Sequence, residues 1–186
     1  VTESGYPRQV RLWKRGTPMA EAALLAEGKA GDMGMDASAT GSEGRMWPRI
    51  TRHPDFWTAE TFHLNLDGTL IRSPLPETAT IEDMLGSRVV ALLHKDWVYG
   101  GKTYAAGALV AYDAAAGWTA ETVPVPPNSA VTLAVAGGAN DTAFYTTESF
   151  ASPETLTAVR GGSAPVEVAA LRAFFDPASI SVEQRF

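Results

Sequence analysis

The run Ala143-Phe144-Tyr145-Thr146-Thr147-Glu148-Ser149-Phe150-Ala151-Ser152-Pro153-Glu154-Thr155-Leu156-Thr157-Ala158-Val159 decides how this sequence is read. Two stretches rich in Thr, Val and aromatic residues flank a Ser-containing break, where Pro153 presets a turn. β-Branched and aromatic side chains suit a pleated, half-buried surface. The predicted unit is a strand, a turn and a returning strand.

Outward from this run the same unit recurs. Gly 17 and Pro 12 punctuate the whole length, and short β-rich runs lie between them. On the N-terminal side the predicted strands are Arg8–Lys14, Ala22–Ala26, Met46–Thr51, Phe56–Asn65 and Thr69–Arg72. Further along come Arg88–His94, Ala108–Asp113, Thr119–Val123, Ala130–Ala136, Ala143–Thr147, Thr155–Val159, Pro165–Ala169 and Ile180–Phe186. Hairpin chemistry falls between them at Asp67-Gly68, Gly100-Gly101, Gly137-Gly138 and Gly161-Gly162. Met19–Gly28 is Ala/Leu/Glu-rich and helical on propensity alone, but it reads as strand because β-preference yields to context. Pro76–Leu85, with Glu77, Glu82 and Asp83, reads as loop. With no long amphipathic helix to cover a sheet, the options are a sandwich, a barrel or a propeller. At four strands per blade these strands fill about three blades and a remainder.

At 186 residues and 19.7 kDa the chain is long enough for one ordinary domain, or one and a fraction, and residues 1–186 are expected to form one partial domain. Its hydrophobic share of 45% and charged share of 19% exclude wholesale disorder. No apolar run reaches the ~20 residues of a membrane-spanning helix. Cys is 0, which removes disulfides, thiolate nucleophiles and cysteine-ligated metals. A net charge of −6 argues mildly against general nucleic-acid or anionic-membrane binding. The opening Val1-Thr2-Glu3-Ser4-Gly5 shows no basic or apolar leader, and the lack of Cys leaves the compartment open; the expectation is cytoplasmic or periplasmic. The closing Ser181-Val182-Glu183-Gln184-Arg185-Phe186 alternates like a strand and stops, which predicts a cut through a longer protein.

No motif for catalysis is complete. Thr40-Gly41-Ser42-Glu43-Gly44 lacks the first glycine of a serine-hydrolase elbow, and Gly161-Gly162-Ser163-Ala164-Pro165 ends in proline. Gly100-Gly101-Lys102-Thr103 is half of a phosphate loop, but Asp96 stands where its first glycine belongs, so it reads as a hairpin turn. His53, His63 and His94 stand singly, without metal-ligand spacing, and Glu82-Asp83 fits a loop. Asn140-Asp141-Thr142 fits a glycosylation sequon, incidental without a secretory signal. Arg8, Arg11, Lys14 and Arg15 form the one dense basic cluster, read as the solvated face of an edge strand. The expectation is therefore no catalytic, cofactor-binding or metal residue in this chain, and no cofactor.

Phe144 through Leu156, an aromatic pair followed by Ser149-Phe150 and the Ser152-Pro153 turn, resembles the last propeller blade of the prolyl oligopeptidase family. Phe174-Phe175-Asp176-Pro177 through Val182-Glu183-Gln184-Arg185-Phe186 resembles the strand by which that chain leaves the propeller. Trp13-Lys14-Arg15-Gly16-Thr17-Pro18 is similar to the family's Trp-Lys-x-Gly-Thr hairpin, and Trp97 through Asp113 resembles a bacterial branch. The resemblance implies an all-β fold, a partial β-propeller of about three to four blades of four-stranded antiparallel sheet. It implies the second half of a serine peptidase's propeller, a non-catalytic part that caps the active site and admits only short peptides. The partner it implies is the α/β-hydrolase domain of the same parent chain, which carries the catalytic Ser, Asp and His. A partial propeller is further expected to self-associate through its unpacked end faces. A free-standing ligand-binding or protein-interaction module is the alternative, with Trp13, Trp47, Trp57, Trp97 and Trp118 available to line a groove.

Overall fold

The computed structural model describes residues 1–42, 45–65, 67–113, 117–137, 141–161, 163–181 and 183. Regular structure there is antiparallel sheet, interrupted by two single 3-10 turns at Met19–Glu21 and Pro177–Ser179. The chain divides into two compact units, residues 1–79 and 80–186.

The first unit begins with a hairpin of β1 (Gln9–Leu12) and β2 (Ala23–Glu27). Its connection is tied by Trp13 Nε1 donating to the Thr17 carbonyl at 2.9 Å and by the Thr17 hydroxyl donating to the Lys14 carbonyl at 2.9 Å. The helical propensity of Met19–Gly28 gives way as expected: only one 3-10 turn forms before β2 pairs with β1. A four-stranded meander follows, β3 (Gly34–Ser42), β4 (Arg45–His53), β5 (Glu60–Leu64) and β6 (Leu70–Arg72). The Met35 N–H donates to the Pro7 carbonyl at 2.8 Å, which seats the hairpin beside β3.

The second unit holds two more four-stranded meanders. One comprises β7 (Thr80–Leu85), β8 (Arg88–Leu92), β11 (Leu109–Asp113) and β12 (Thr119–Thr122). Between β8 and β11 the chain leaves the sheet as a small hairpin, β9 (Trp97–Tyr99) and β10 (Lys102–Tyr104). The other comprises β13 (Ala130–Gly137), β14 (Thr142–Ser149), β15 (Ser152–Arg160) and β16 (Val166–Ala170). Leu85, Val90, Leu109, Ala111 and Val123 meet Ala143, Tyr145 and Val159 in one buried cluster, so the two sheets pack face to face. Their first strands, β7 and β13, run against each other, the inner-edge arrangement of neighbouring blades. Three four-stranded meanders and the separate β1–β2 hairpin agree with the expected three to four blades.

Several strand expectations need correction. β3 was not predicted, because beyond Met35 it carries only Gly, Ala, Ser, Thr and Asp; it is a strand because all nine residues pair with β4. β7 occupies part of the predicted loop 76–85, its acids sitting at a bulge between Ile81 and Asp83. β9 and β10 were also unpredicted as strands. Phe56–Ala59 is loop, so β5 is shorter than expected. The turn in the opening run is at Phe150-Ala151, and Pro153 lies inside β15 near its start, where no ladder donor is lost to the sheet interior. Of the predicted strand Ile180–Phe186, residues 180, 181 and 183 are described, and none is in a strand.

Candidate functional site

The near-motifs resolve into sheet and turn. Thr40-Gly41-Ser42 ends β3, and Glu43 and Gly44 lie outside the described residues, as does Gly162 of the second near-elbow. Ser163 follows β15 in a turn, its N–H donating to the Arg160 carbonyl at 2.8 Å, where an elbow would need a helix to start. Gly100 and Gly101 have φ of 57° and 76°, the two positive values of a tight β9–β10 hairpin turn. Asn140 of the sequon lies outside the described residues.

The histidines do different things. His53 Nε2 lies 2.7 Å from an Asp36 carboxylate oxygen on an exposed surface. His94 Nε2 lies 2.9 Å from the Thr80 hydroxyl. His63 is buried in β5, and burial, followed by the positive charge of Arg49, pushes its pKa down to about 4. Among the described residues no three His, Asp or Glu side chains gather as a metal site would require.

The basic cluster sits on a solvated edge. β1 pairs only with β2, Arg8 forms an ion pair with Glu27 at 2.6 Å, and Arg11 bonds Gln9 and the Ala22 carbonyl. Of the tryptophans, Trp97 stacks on Tyr99 at 4.8 Å and Trp118 on Tyr112 at 5.6 Å, which is scaffold packing. Trp57 stands exposed in the β4–β5 loop, beside Phe56. Asp55 holds that loop by accepting from the Trp57 and Thr58 N–H groups at 2.7 and 2.8 Å.

Two charge constellations were not anticipated. In the first unit Arg52 forks onto buried Asp32, at 2.8 Å through Nε and 2.7 Å through Nη2, and reaches Glu60 at 2.6 Å. Arg72 extends the ladder to Glu60 and Glu77 at 2.9 and 2.8 Å. The Arg52 guanidinium holds the carboxyls of Asp32 and Glu60 below the usual range. In the second unit Arg88 bridges Glu121 and Asp141, each at 3.1 Å, and so ties one sheet to the other. Gly86 and Gly161 make room for that carboxylate: a Cβ on Gly86 would lie 2.8 Å from Asp141 Oδ1, and one on Gly161 would overlap Asp141 Oδ2. Alternation places Arg52 and Arg88 within strands, but their acid partners lie too far along the chain to be paired by spacing.

Arg88 lines a cleft of about 230 Å³ together with Glu121, Pro124, Val159, Gly161 and Ser163. Its guanidinium is already balanced by two carboxylates, and no histidine lines the cleft to activate Ser163. Pro124, Val125, Pro126, Tyr145 and Pro165 line a shallower groove, where the Tyr145 hydroxyl donates to the Pro124 carbonyl. Among the described residues, neither the cleft nor the groove brings a histidine to a serine as an acyl-transfer centre would require.

No protein-family model and no curated protein matches the sequence. Solved structures do. A post-proline cleaving enzyme from Rickettsia typhi aligns at a TM-score of 0.74 and 21% identity, over 91% of this chain and 26% of its own. Oligopeptidase B from Leishmania major aligns at 0.43 and 17%, over 96% of this chain and 33% of its own. A structure from a study of two prolyl endopeptidases aligns at 0.45 and 13%, over 96% and 32%. The chain thus spans about a quarter to a third of the length of these prolyl oligopeptidase-family enzymes. The fold of the described residues is that of a stretch of prolyl oligopeptidase-type β-propeller.

Proposed function

We propose that this chain is a non-catalytic propeller segment of a prolyl oligopeptidase-like serine peptidase. In that role it caps the active site of an α/β-hydrolase domain on the same parent chain and restricts entry to short peptides. The observation that carries the reading is the succession of three four-stranded meanders, in the fold of a propeller stretch from a post-proline cleaving enzyme. A second observation supports it. On β13–β16 the row Val135, Phe144, Ala158 and Val166 is apolar, yet Val135 and Val166 are 52% and 62% exposed. A face of that kind suits a further blade, as the opposite face suits its neighbour. In the isolated chain the same row would drive self-association, which sedimentation reads as a concentration-dependent rise in mass.

The test has two arms. The coding sequence adjoining Phe186 should carry a Gly-x-Ser-x-Gly elbow with later Asp and His. The 186-residue chain alone should show no turnover of proline-containing peptides. Turnover that disappears in Ser163→Ala would overturn the reading in favour of a hydrolytic site within this chain.

A further inference from the structure

Exposed Arg11 bonds neutral groups in open solvent, but the half-buried arginines of this fold, Arg49 apart, meet carboxylates. Among the described side chains, half-buried Arg8, Arg52 and Arg88 each meet at least one carboxylate within 3.1 Å, and even exposed Arg72 meets two. Arg49 breaks the pattern. It is half-buried in the centre of β4, and its bonded partner is a neutral group, the Thr40 hydroxyl, at 2.8 Å from Nη1. The one acid within β3, Asp36, lies on the same face of the strand pair and is turned to His53. Across the sheet Arg49 pairs with His63, an imidazole that burial keeps neutral and that cannot offset the charge. A guanidinium partly withdrawn from water with no counter-ion among the described residues is left with its charge uncompensated.

We propose that Arg49 and Thr40, on the face of the sheet β3–β6 that also carries Trp47 and His63, form a carboxylate-binding site. Arg49 offers the paired N–H donors that match a carboxylate fork, with four of its five donor hydrogens not used on Thr40. Thr40 accepts from Arg49, which leaves its own O–H to donate to the same anion. Trp47, the register partner of Thr40 and half-buried, supplies an apolar neighbour for the group that bears the carboxylate. The ligand class is therefore a peptide carboxylate next to an apolar residue. It comes from either a chain terminus or an acidic side chain. The inference stands on the geometry of this sheet and not on the peptidase reading.

The test uses the whole 186-residue chain and follows the His63 ring protons by NMR. Three probes are titrated: N-acetyl-alanyl-phenylalanine, its C-terminal amide, and N-acetyl-aspartyl-phenylalaninamide. Saturable binding at about millimolar strength is expected for a probe with a carboxylate, and at least roughly tenfold weaker binding for the amide lacking one. Arg49→Gln should weaken the carboxylate probe by about tenfold or more, while Arg49→Lys, which keeps the charge, should lose less. A preference for the first probe over the third assigns the site to a chain terminus, and the reverse to an acidic side chain; both support it. Equal binding of acid and amide would overturn the proposal. So would undiminished binding in a folded Arg49→Gln, or no saturable shift up to about 50 mM.

Discussion

The sheets β3–β6 and β7–β8–β11–β12 share a meander topology and differ in what fills them. In the first, Ile50 and Met35 are buried beside Asp32, Thr51 and His63, and an Arg–acid ladder from Asp32 to Glu77 crosses three strands. In the second, Val89, Val90 and Ala91 of β8 and Leu109 through Tyr112 of β11 are all buried, so successive residues on both faces are apolar. Apolar burial is nearly indifferent to pH and salt, whereas charge pairs and a buried imidazole are not. One architecture therefore carries a hydrophobic sheet and an electrostatic one, and the two should fail under different conditions.

Cutting into the apolar sheet should have the largest effect. Tyr112→Ala removes a fully buried ring stacked on Trp118 and should cost roughly 3–5 kcal/mol by denaturant unfolding, with little dependence on pH. Acid should act on the other sheet. His63 has its folded pKa depressed from the ordinary 6.5 to about 4, so between those values the unfolded chain binds the proton and the folded chain does not. Stability should fall by roughly 3 kcal/mol as pH drops from 6.5 to 4, and His63→Phe should flatten that slope. Below that window Asp32 and Glu60, whose carboxyls are held low by Arg52, should lose their contribution as they protonate. Hydrogen exchange should show residues 34–72 opening before the apolar sheet on acidification; simultaneous loss would break the contrast. The smallest expected effect is at the tie between sheets of the second unit. Gly161→Ala must displace the Asp141 carboxylate from Arg88 and should cost about 1–3 kcal/mol, read as a lowered unfolding midpoint.

The same contrast explains what could be read in advance. β8, β11 and β14 announced themselves through Val, Leu, Tyr and Thr. β3 could not, since Gly34, Ala37, Ser38, Ala39, Thr40 and Gly41 carry no strand signal of their own and become a strand through β4. β7 was masked by Glu82 and Asp83, which its bulge accommodates. Arg49 was passed over for a related reason. A cation in a strand looks ordinary until its neighbours are known, and only cross-strand register reveals a neutral hydroxyl and a neutral imidazole beside it.

The proposed capping role is tested most directly by the substrate-length dependence of the larger peptidase proposed to contain this chain. A short proline-containing peptide and the same sequence embedded in a folded protein would be compared by kcat/KM, in the wild type and in Gly161→Ala. Under that proposal the short peptide is cleaved, the embedded sequence is almost wholly refused, and the embedded sequence gains in part when the tie between sheets is loosened. Equal cleavage of both substrates by the wild type would contradict a propeller that restricts entry.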